Sequence, residues 1–178
     1  MNLDCGSCIV RDWRDSDRES LVHFANNRRI WRNLKDRFPH PYTDADAKAW
    51  IALARANPDL AGWAIEVEGL AAGCIGLQPL SDVHARSAHI GYWLGEPFWG
   101  RGIVTAAVRA VSELALGQLG YLRLEAPVFA WNPASMRVLE KCGFVREGVM
   151  KKSAFKDGEV IDCVLYARVA KLAAEPPA

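Results

Sequence analysis

No run in this 178-residue chain approaches the ~20 apolar residues that a membrane-spanning helix requires, so no membrane partner is expected. Nor is there an excess of charge: 22 Lys and Arg against 21 Asp and Glu leave a formal net charge of +1. A protein that works by broad contact with a phosphate backbone needs a basic surplus, so no nucleic-acid partner is expected either. The five cysteines are odd in number, and no secretory leader pattern is present. Together these point to a reducing compartment and make the cytoplasm the expected location. Cys5 and Cys8 form a lone CxxC. No second pair and no spaced histidines follow to complete the about four ligands of a zinc site, so no metal is expected. Cys74 and Cys142 lie in apolar runs and read as small core residues.

What is present suits one packed domain. Hydrophobic residues make up 51% and charged residues 24%, an ordinary globular balance. Residues 1–172 are expected to form the domain, and the Ala/Pro-rich residues 173–178 a disordered tail. Alternation predicts a first strand over 9–13, followed by a helix from Asp15 or Ser16 to about Asn26. Residues 28–42 mix basic and aromatic residues, and Pro39 and Pro41 exclude a regular helix at their end. Thr43 or Asp44 caps a helix to about Ala56. Strands follow at 63–68, 71–77 and 87–94. A loop with three glycines then leads into a helix over 103–118. On that helix Thr105, Arg109 and Ser112 are expected to share a polar face, while Val104, Val108, Val111 and Leu114 meet the core. A strand at 122–129, a helix at 133–142 capped by Asn132, and strands at 144–149 and 160–169 complete the order. The expected class is α/β (α+β), a mixed, mostly antiparallel central sheet flanked by helices.

The strand–loop–helix around Gly100 and Gly102 is the leading chemical signal. A helix start carries unpaired N–H groups and a partial positive charge, and glycines admit a phosphate close to the backbone. It is not a Walker loop, because no Gly-Lys-Ser/Thr follows, and it is not a GxGxxG dinucleotide turn. By itself it is equally a plain tight turn.

Three segments taken together are more specific: Tyr92-Trp93-Leu94, Phe98-Trp99-Gly100-Arg101-Gly102-Ile103, and residues 132–144 with Asn132-Pro133-Ala134-Ser135 and Cys142-Gly143-Phe144. This combination resembles the GCN5-related N-acetyltransferase (GNAT) superfamily, and within it the RimJ/RimL-like branch, over nearly the whole chain. The resemblance implies a GNAT fold and acetyl-CoA as co-substrate. The pyrophosphate of coenzyme A would lie on Trp99, Gly100, Arg101, Gly102, Ile103, Val104 and Thr105. Trp99 is familiar in that branch, whereas Val104 stands where the family usually has Gly or Ala. The resemblance further implies that the backbone N–H groups of Trp93 and Leu94 hold the thioester carbonyl, an oxyanion-type arrangement. Asn132 would touch the cofactor arm as well as cap its helix. Many relatives carry a Tyr seven positions beyond that Asn, as acid for the departing thiolate; here Leu139 stands there, and Ser135 takes the position near the sulfur.

The general base has two candidates, His89 and Glu125, both on strands beside the cofactor. Trp31, Leu34, Phe38 and Tyr42 are candidates to line an acceptor cleft, or equally to be core. Arg28, Arg29, Arg32, Lys35 and Arg37 form either a solvated face or a guidance surface for an acidic ligand. The expected partners are therefore acetyl-CoA and an amine acceptor, with a peptide or protein N-terminus favoured, and a homodimer is compatible with the sequence. A small-amine acetyltransferase and a non-catalytic acyl-CoA-binding domain are the alternatives.

Overall fold

A computed structural model of the chain describes residues 1–57 and 62–171. The expected tail at 173–178 lies outside them. The chain opens with a hairpin of β1 (Asn2–Asp4) and β2 (Ile9–Arg11). β1 has no counterpart in the sequence reading, since three residues are too few to display alternation, and β2 ends two residues before Trp13. A 3-10 turn at Asp15–Asp17 leads into α1 (Arg18–Ala25). A single helical turn, α2 (Arg28–Trp31), opens the mixed 28–42 segment, well before the two prolines at its end. It is capped by Asn27, whose side chain accepts from the Arg29 N–H at 2.8 Å. α3 (Asp44–Ala56) starts at Thr43 in a capping box: Thr43 Oγ1 accepts from the Asp46 N–H, and the Asp46 carboxylate accepts from the Thr43 N–H.

The second half holds β3 (Trp63–Val67), β4 (Leu70–Pro79), β5 (Ser87–Leu94), α4 (Ile103–Gly117), β6 (Arg123–Phe129), α5 (Pro133–Lys141), β7 (Val145–Lys156) and β8 (Glu159–Val169). The eight strands form one sheet in the order β1-β2-β3-β4-β5-β6-β8-β7. Every neighbouring pair is antiparallel except β5 with β6. Among the described residues this is a mixed, mostly antiparallel sheet with five α-helices. β7 runs well past the expected end at Val149. Its pairing with β8 shifts register between Arg146 and Gly148 and again between Met150 and Ala154. Such bulges erase the alternation on which a sequence reading depends.

Each face of the sheet has its own core. α4 and α5 cover one, where Val108, Val111 and Leu139 pack on Ile90, Leu124 and Val164. α1 and α3 cover the other, where Leu21, Ala47 and Ile51 pack with Ala64, Ala71 and Cys74. The expected polar face of α4 needs correction. Ser112 is fully buried beside Val108 and Val111, and its hydroxyl has no partner, while Val104 and Leu114 are only partly covered. The buried stripe runs through Ile103, Ala107, Val108, Val111, Ser112 and Ala115, whose small members let the helix approach the sheet. Arg11 is buried as well, held by both oxygens of Asp17 at 2.7 and 2.8 Å and by Glu66.

Two ion pairs connect the 28–42 segment to the β7–β8 turn. Arg28 reaches Asp157 at 2.8 Å. The buried Lys156 ammonium meets Asp36 at 2.7 Å and lies 3.8 Å from the centre of the Trp31 ring.

Gly73 is the tightest of the sheet's glycines: an added Cβ would stand 2.3 Å from the Trp93 carbonyl oxygen. At Gly91, across the β4–β5 pair, a Cβ would meet nothing within 4 Å. Gly73→Ala should therefore force the two strands apart and cost about 1–3 kcal/mol, while Gly91→Ala leaves stability unchanged. Urea denaturation of the two variants checks the contrast.

Candidate active site

The pairing of β5 with β6 covers three positions only: Ser87 with Arg123, Ala88 with Leu124 and His89 with Glu125. Beyond them the strands part, and a cleft of about 1520 Å³ opens between them. That exceeds the roughly 300–1,000 Å³ typical of a single small-molecule pocket, so it has room for two ligands. The opening leaves one edge of β5 without a strand partner. Which groups face it follows from the ladder with β4. At one end the Leu80 N–H donates to the Ser87 carbonyl at 3.0 Å, and at the other the Gly95 N–H donates to the Ala72 carbonyl at 2.7 Å. The register between is unbroken. Hydrogen bonding in an antiparallel pair alternates along each strand. His89, Gly91 and Trp93 therefore bond to β4, and beyond the paired positions the N–H groups of Tyr92 and Leu94 face the opening. This corrects the expectation at Trp93: its amide belongs to the β4 ladder, and Tyr92 and Leu94 supply the free donors.

The turn after β5 sets a second group of donors beside the first. Trp99 Nε1–H donates to the Leu94 carbonyl at 2.7 Å, pinning the loop to the strand end. Gly100 and Gly102 have φ of 75° and 77°, in the left-handed region. Gly102 is the N-cap of α4, and no side chain caps the helix. A Cβ at either glycine would meet nothing within 4 Å, so the backbone there lies open to an approaching ligand. Val104 and Thr105 line the cleft from the first turn of α4. Ile103 is 2% exposed and turns its side chain into the core. Arg101 does not line the cleft. It pairs with Glu68 at 2.6 Å, and its guanidinium lies 5.5 Å from the Phe98 ring centre. The Arg101 side chain is thus held by the turn after β3, which leaves its backbone as the part of the residue that can meet a phosphate.

The start of α5 closes the far wall. Asn132 Oδ1 accepts from the Ser135 N–H at 3.2 Å, so Asn132 does cap its helix. Ser135 Oγ lies 2.9 Å from the Tyr92 hydroxyl. This pair joins the two sides of the opening, and Tyr92 is the functional candidate that the sequence reading missed. The signal was present in the period of β5: Ala88, Ile90, Tyr92 and Leu94 share the face toward α4 and α5. A tyrosine among aliphatic neighbours there needs a partner for its hydroxyl. Burial holds the Tyr92 phenol well above its ordinary pKa, against the opposing hydrogen bond from Ser135. The hydroxyl is therefore a proton donor throughout the neutral range.

His89 and Glu125, sought separately as bases, are neighbours at the last paired position before the strands part. His89 Nε2 is 3.4 Å from Glu125 Oε2. The other oxygen of Glu125 accepts from Arg123 Nε at 2.6 Å, and Arg123 also grips Glu147. Arg123 thereby aims the Glu125 carboxyl at the imidazole. Both side chains point away from α4 and α5, on the face shared with Trp93.

On that face Phe38 packs edge-on to Trp93 at 5.7 Å and against Tyr42 at 5.0 Å. Leu34, Phe38 and Tyr42 line the cleft, although Tyr42 is 5% exposed and serves mainly as core. Trp31 does not line it; its ring stacks on His40 at 5.7 Å and carries the Lys156 ammonium. Among the described residues, no three His, Cys, Asp or Glu side chains converge as a metal site, and no helix is long and apolar enough to cross a membrane.

Comparison with known proteins bears on this geometry. Residues 8–145 match the family described as Acetyltransferase (GNAT) domain. Probable N-acetyltransferase YjcK of Bacillus subtilis is 45% identical over 73 residues, which is 41% of this chain and 40% of that protein. The ribosomal-protein-serine acetyltransferase of Escherichia coli is 34% identical over 95 residues, 52% of this chain and 50% of that protein. The L-amino acid N-acetyltransferase AaaT of the same organism is 38% identical over 69 residues, 39% of this chain and 43% of that protein. The matched stretches thus span half or less of these three relatives. By fold, a solved structure of RimL, a ribosomal L7/L12 alpha-N-protein acetyltransferase in complex with coenzyme A, superposes with a TM-score of 0.84 at 20% identity, covering 96% of this chain and 98% of that one.

Two cleft-lining thiols, Cys74 and Cys163, are 8% and 5% exposed. Burial pushes the Cys74 thiol up to about 12. A group raised this far stays a neutral thiol at every pH below that value, and only the thiolate is a good nucleophile. Iodoacetamide at pH 8 should leave Cys74 unlabelled in the native protein and label it after unfolding in urea, as read by peptide mass spectrometry.

Proposed function

The chain belongs to the GNAT acetyltransferase family, and on that premise we propose that it moves an acetyl group from acetyl-CoA directly to a primary amine, the favoured acceptor being a peptide or protein N-terminal α-amine. The observation that carries this reading is the early parting of β5 and β6 beside an uncapped helix start. The free N–H groups of Tyr92 and Leu94 suit a thioester carbonyl. The open glycine backbone and the α4 N-terminus suit a pyrophosphate. These are the two polar ends of one acyl-CoA arm, and the residues present fit it.

In this reading the glycine turn and Thr105 hold the phosphates, and Asn132 flanks the arm. The acceptor enters on the face that carries His89 and Glu125. As its nitrogen bonds to the carbonyl carbon, the Leu94 and Tyr92 amides stabilise the charge that develops on oxygen. The carbon–sulfur bond then breaks, and the Ser135–Tyr92 hydroxyl pair supplies the proton that the departing thiolate takes. His89, backed by Glu125, receives the proton that the amine loses. No cysteine is required to carry the acetyl group. The buried, neutral thiol of Cys74 is a poor candidate for one.

The preference for an α-amine rests on proton energetics. Attack needs the neutral amine, and an α-amine has a pKa of about 8 against about 10.4 for lysine. Near pH 7.4 deprotonation therefore costs about 1 kcal/mol for the first and about 4 kcal/mol for the second, at ~1.36 kcal/mol per unit. A base made of one imidazole and a carboxylate meets the smaller demand.

Two variants should separate binding from chemistry. Gly102→Asp puts a side chain in a left-handed position and a negative charge beside the phosphates. It should cost at least tenfold (~1.4 kcal/mol) in coenzyme A affinity, by calorimetry on folded protein. Ser135→Ala should keep that affinity within about twofold and lower turnover by roughly tenfold or more, since its hydrogen bond strengthens as thiolate forms. Unchanged affinity in the first, or unchanged turnover in the second, removes the role assigned here.

The acceptor is tested by competition between an unblocked peptide and its N-terminally blocked, lysine-containing counterpart, with the product mapped by mass spectrometry. The unblocked peptide should be acetylated faster. Faster modification of the blocked peptide, or of a free polyamine or amino acid, identifies a side-chain or small-amine enzyme instead. Tight coenzyme A binding with no turnover on any amine identifies a binding domain.

A further inference from the structure

The basic residues at the mouth of the cleft are not equivalent. Arg28 is occupied by Asp157 and Arg29 by Glu96. Arg32 has no carboxylate partner among the described residues. Its guanidinium carbon lies 4.5 Å over the Trp131 ring, and its Nε–H is buried with no hydrogen-bond partner. Trp131 is itself fixed, because its Nε1–H donates to Asn33 Oδ1 at 3.1 Å. A guanidinium stacked by one face on a fixed ring keeps its in-plane N–H fork free, the geometry that matches a carboxylate. Among the described residues the Nη groups of Arg32 are neither buried nor hydrogen-bonded, and they are the donors that a ligand carboxylate meets.

Two further cations stand near it without a counterion among the described residues. Lys35 Nζ donates only to the neutral Gln78 side chain at 3.2 Å. Partial burial and the charge of Arg37 pull its ammonium below the ordinary lysine value. Arg37 has no ion-pair partner either. Arg32, Lys35 and Arg37 all line the cleft. Among the described residues the two carboxylates that line it, Asp46 and Glu125, are engaged by Thr43 and by Arg123 with His89. The acceptor mouth therefore presents unneutralised positive charge beside the apolar Leu34 and Phe38.

We infer that Arg32, supported by Lys35 and Arg37, forms an anion subsite that selects peptide acceptors with an acidic residue just after the reacting N-terminus. The inference rests on the acetyl-transfer reading of the same cleft. Within it, Arg32 determines specificity and takes no part in proton transfer. The effect belongs in acceptor binding, because the carboxylate is held equally in ground and transition states.

The test uses three peptides that differ only at the second residue, Glu, Gln or Lys. Equilibrium binding to the protein saturated with coenzyme A and steady-state kinetics with acetyl-CoA are measured in parallel. The Glu peptide should bind about tenfold more tightly than the Gln peptide, with the Lys peptide weakest. The difference should appear in KM, with kcat within about twofold. Raising ionic strength should shrink it. Arg32→Gln should erase the Glu/Gln ratio, and Arg32→Lys should keep part of it. Arg55→Gln, which removes the same charge at the end of α3 where Arg55 pairs with Asp15, should leave it intact. A ratio near one in the wild type, or one that survives Arg32→Gln in folded protein, overturns the subsite. Equal acetylation of all three peptides overturns the subsite and leaves the α-amine reading standing. Selective binding of the Glu peptide without acetylation overturns that reading and leaves the subsite standing. Tighter binding of a phosphorylated small amine than of the Glu peptide shows that the cations serve phosphate, and overturns the peptide assignment.

Discussion

The molecule turns on the point where β5 and β6 stop pairing. Three residue pairs and one flanking bond, from the Leu122 N–H to the Arg86 carbonyl, join the two halves of the sheet directly. Backbone N–H and C=O groups inside a protein demand partners, and a sheet that opens in its middle leaves a row of them unmet. The halves stay together because one core spans the gap: Ile90 and Leu94 from one side, and Leu124, Val128 and Val164 from the other, all pack under α4 and α5. The helices carry the cohesion that the strands give up, and this frees the strand edge to meet a ligand.

Alternation along β5 then sorts the chemistry by face. Tyr92 points toward α4 and α5 and meets Ser135; His89 points the opposite way and meets Glu125. In the proposed reaction this separation is what the chemistry requires. The leaving sulfur and the attacking nitrogen sit on different sides of one carbonyl carbon, so the proton donor and the proton acceptor must too. A shift of one residue in the β4–β5 register would exchange the two groups. Gly73, the tightest glycine between these strands, therefore matters to the site as well as to the sheet.

Much of this was legible in the residues. Glycines before a helix, Asn132 before Pro133 and the strand period of β5 are local patterns, and local patterns depend on the chain's own stereochemistry. Thr43 and Asn132 cap the helices where expected for that reason. The failures have a common cause. Trp31, open between cleft lining and core, has its ring taken by Lys156, and the Arg101 side chain is taken by Glu68, partners distant in sequence. Ser112 read as polar, but α4 packs so closely on the sheet that its small side chain was buried. β7 hid behind two bulges.

The sequence by itself determined the class of the domain, the order of its elements, and the helix start with its open glycines, because each follows from propensity and period within a few residues. The tertiary structure alone decided which amides of β5 face the opening, that His89 and Glu125 form one pair, that Tyr92 reaches Ser135, and that Arg32 has no counterion among the described residues. All four depend on strand register or on contacts between residues far apart in the chain. No local pattern encodes those distances, since they exist only once the sheet has closed on its two cores.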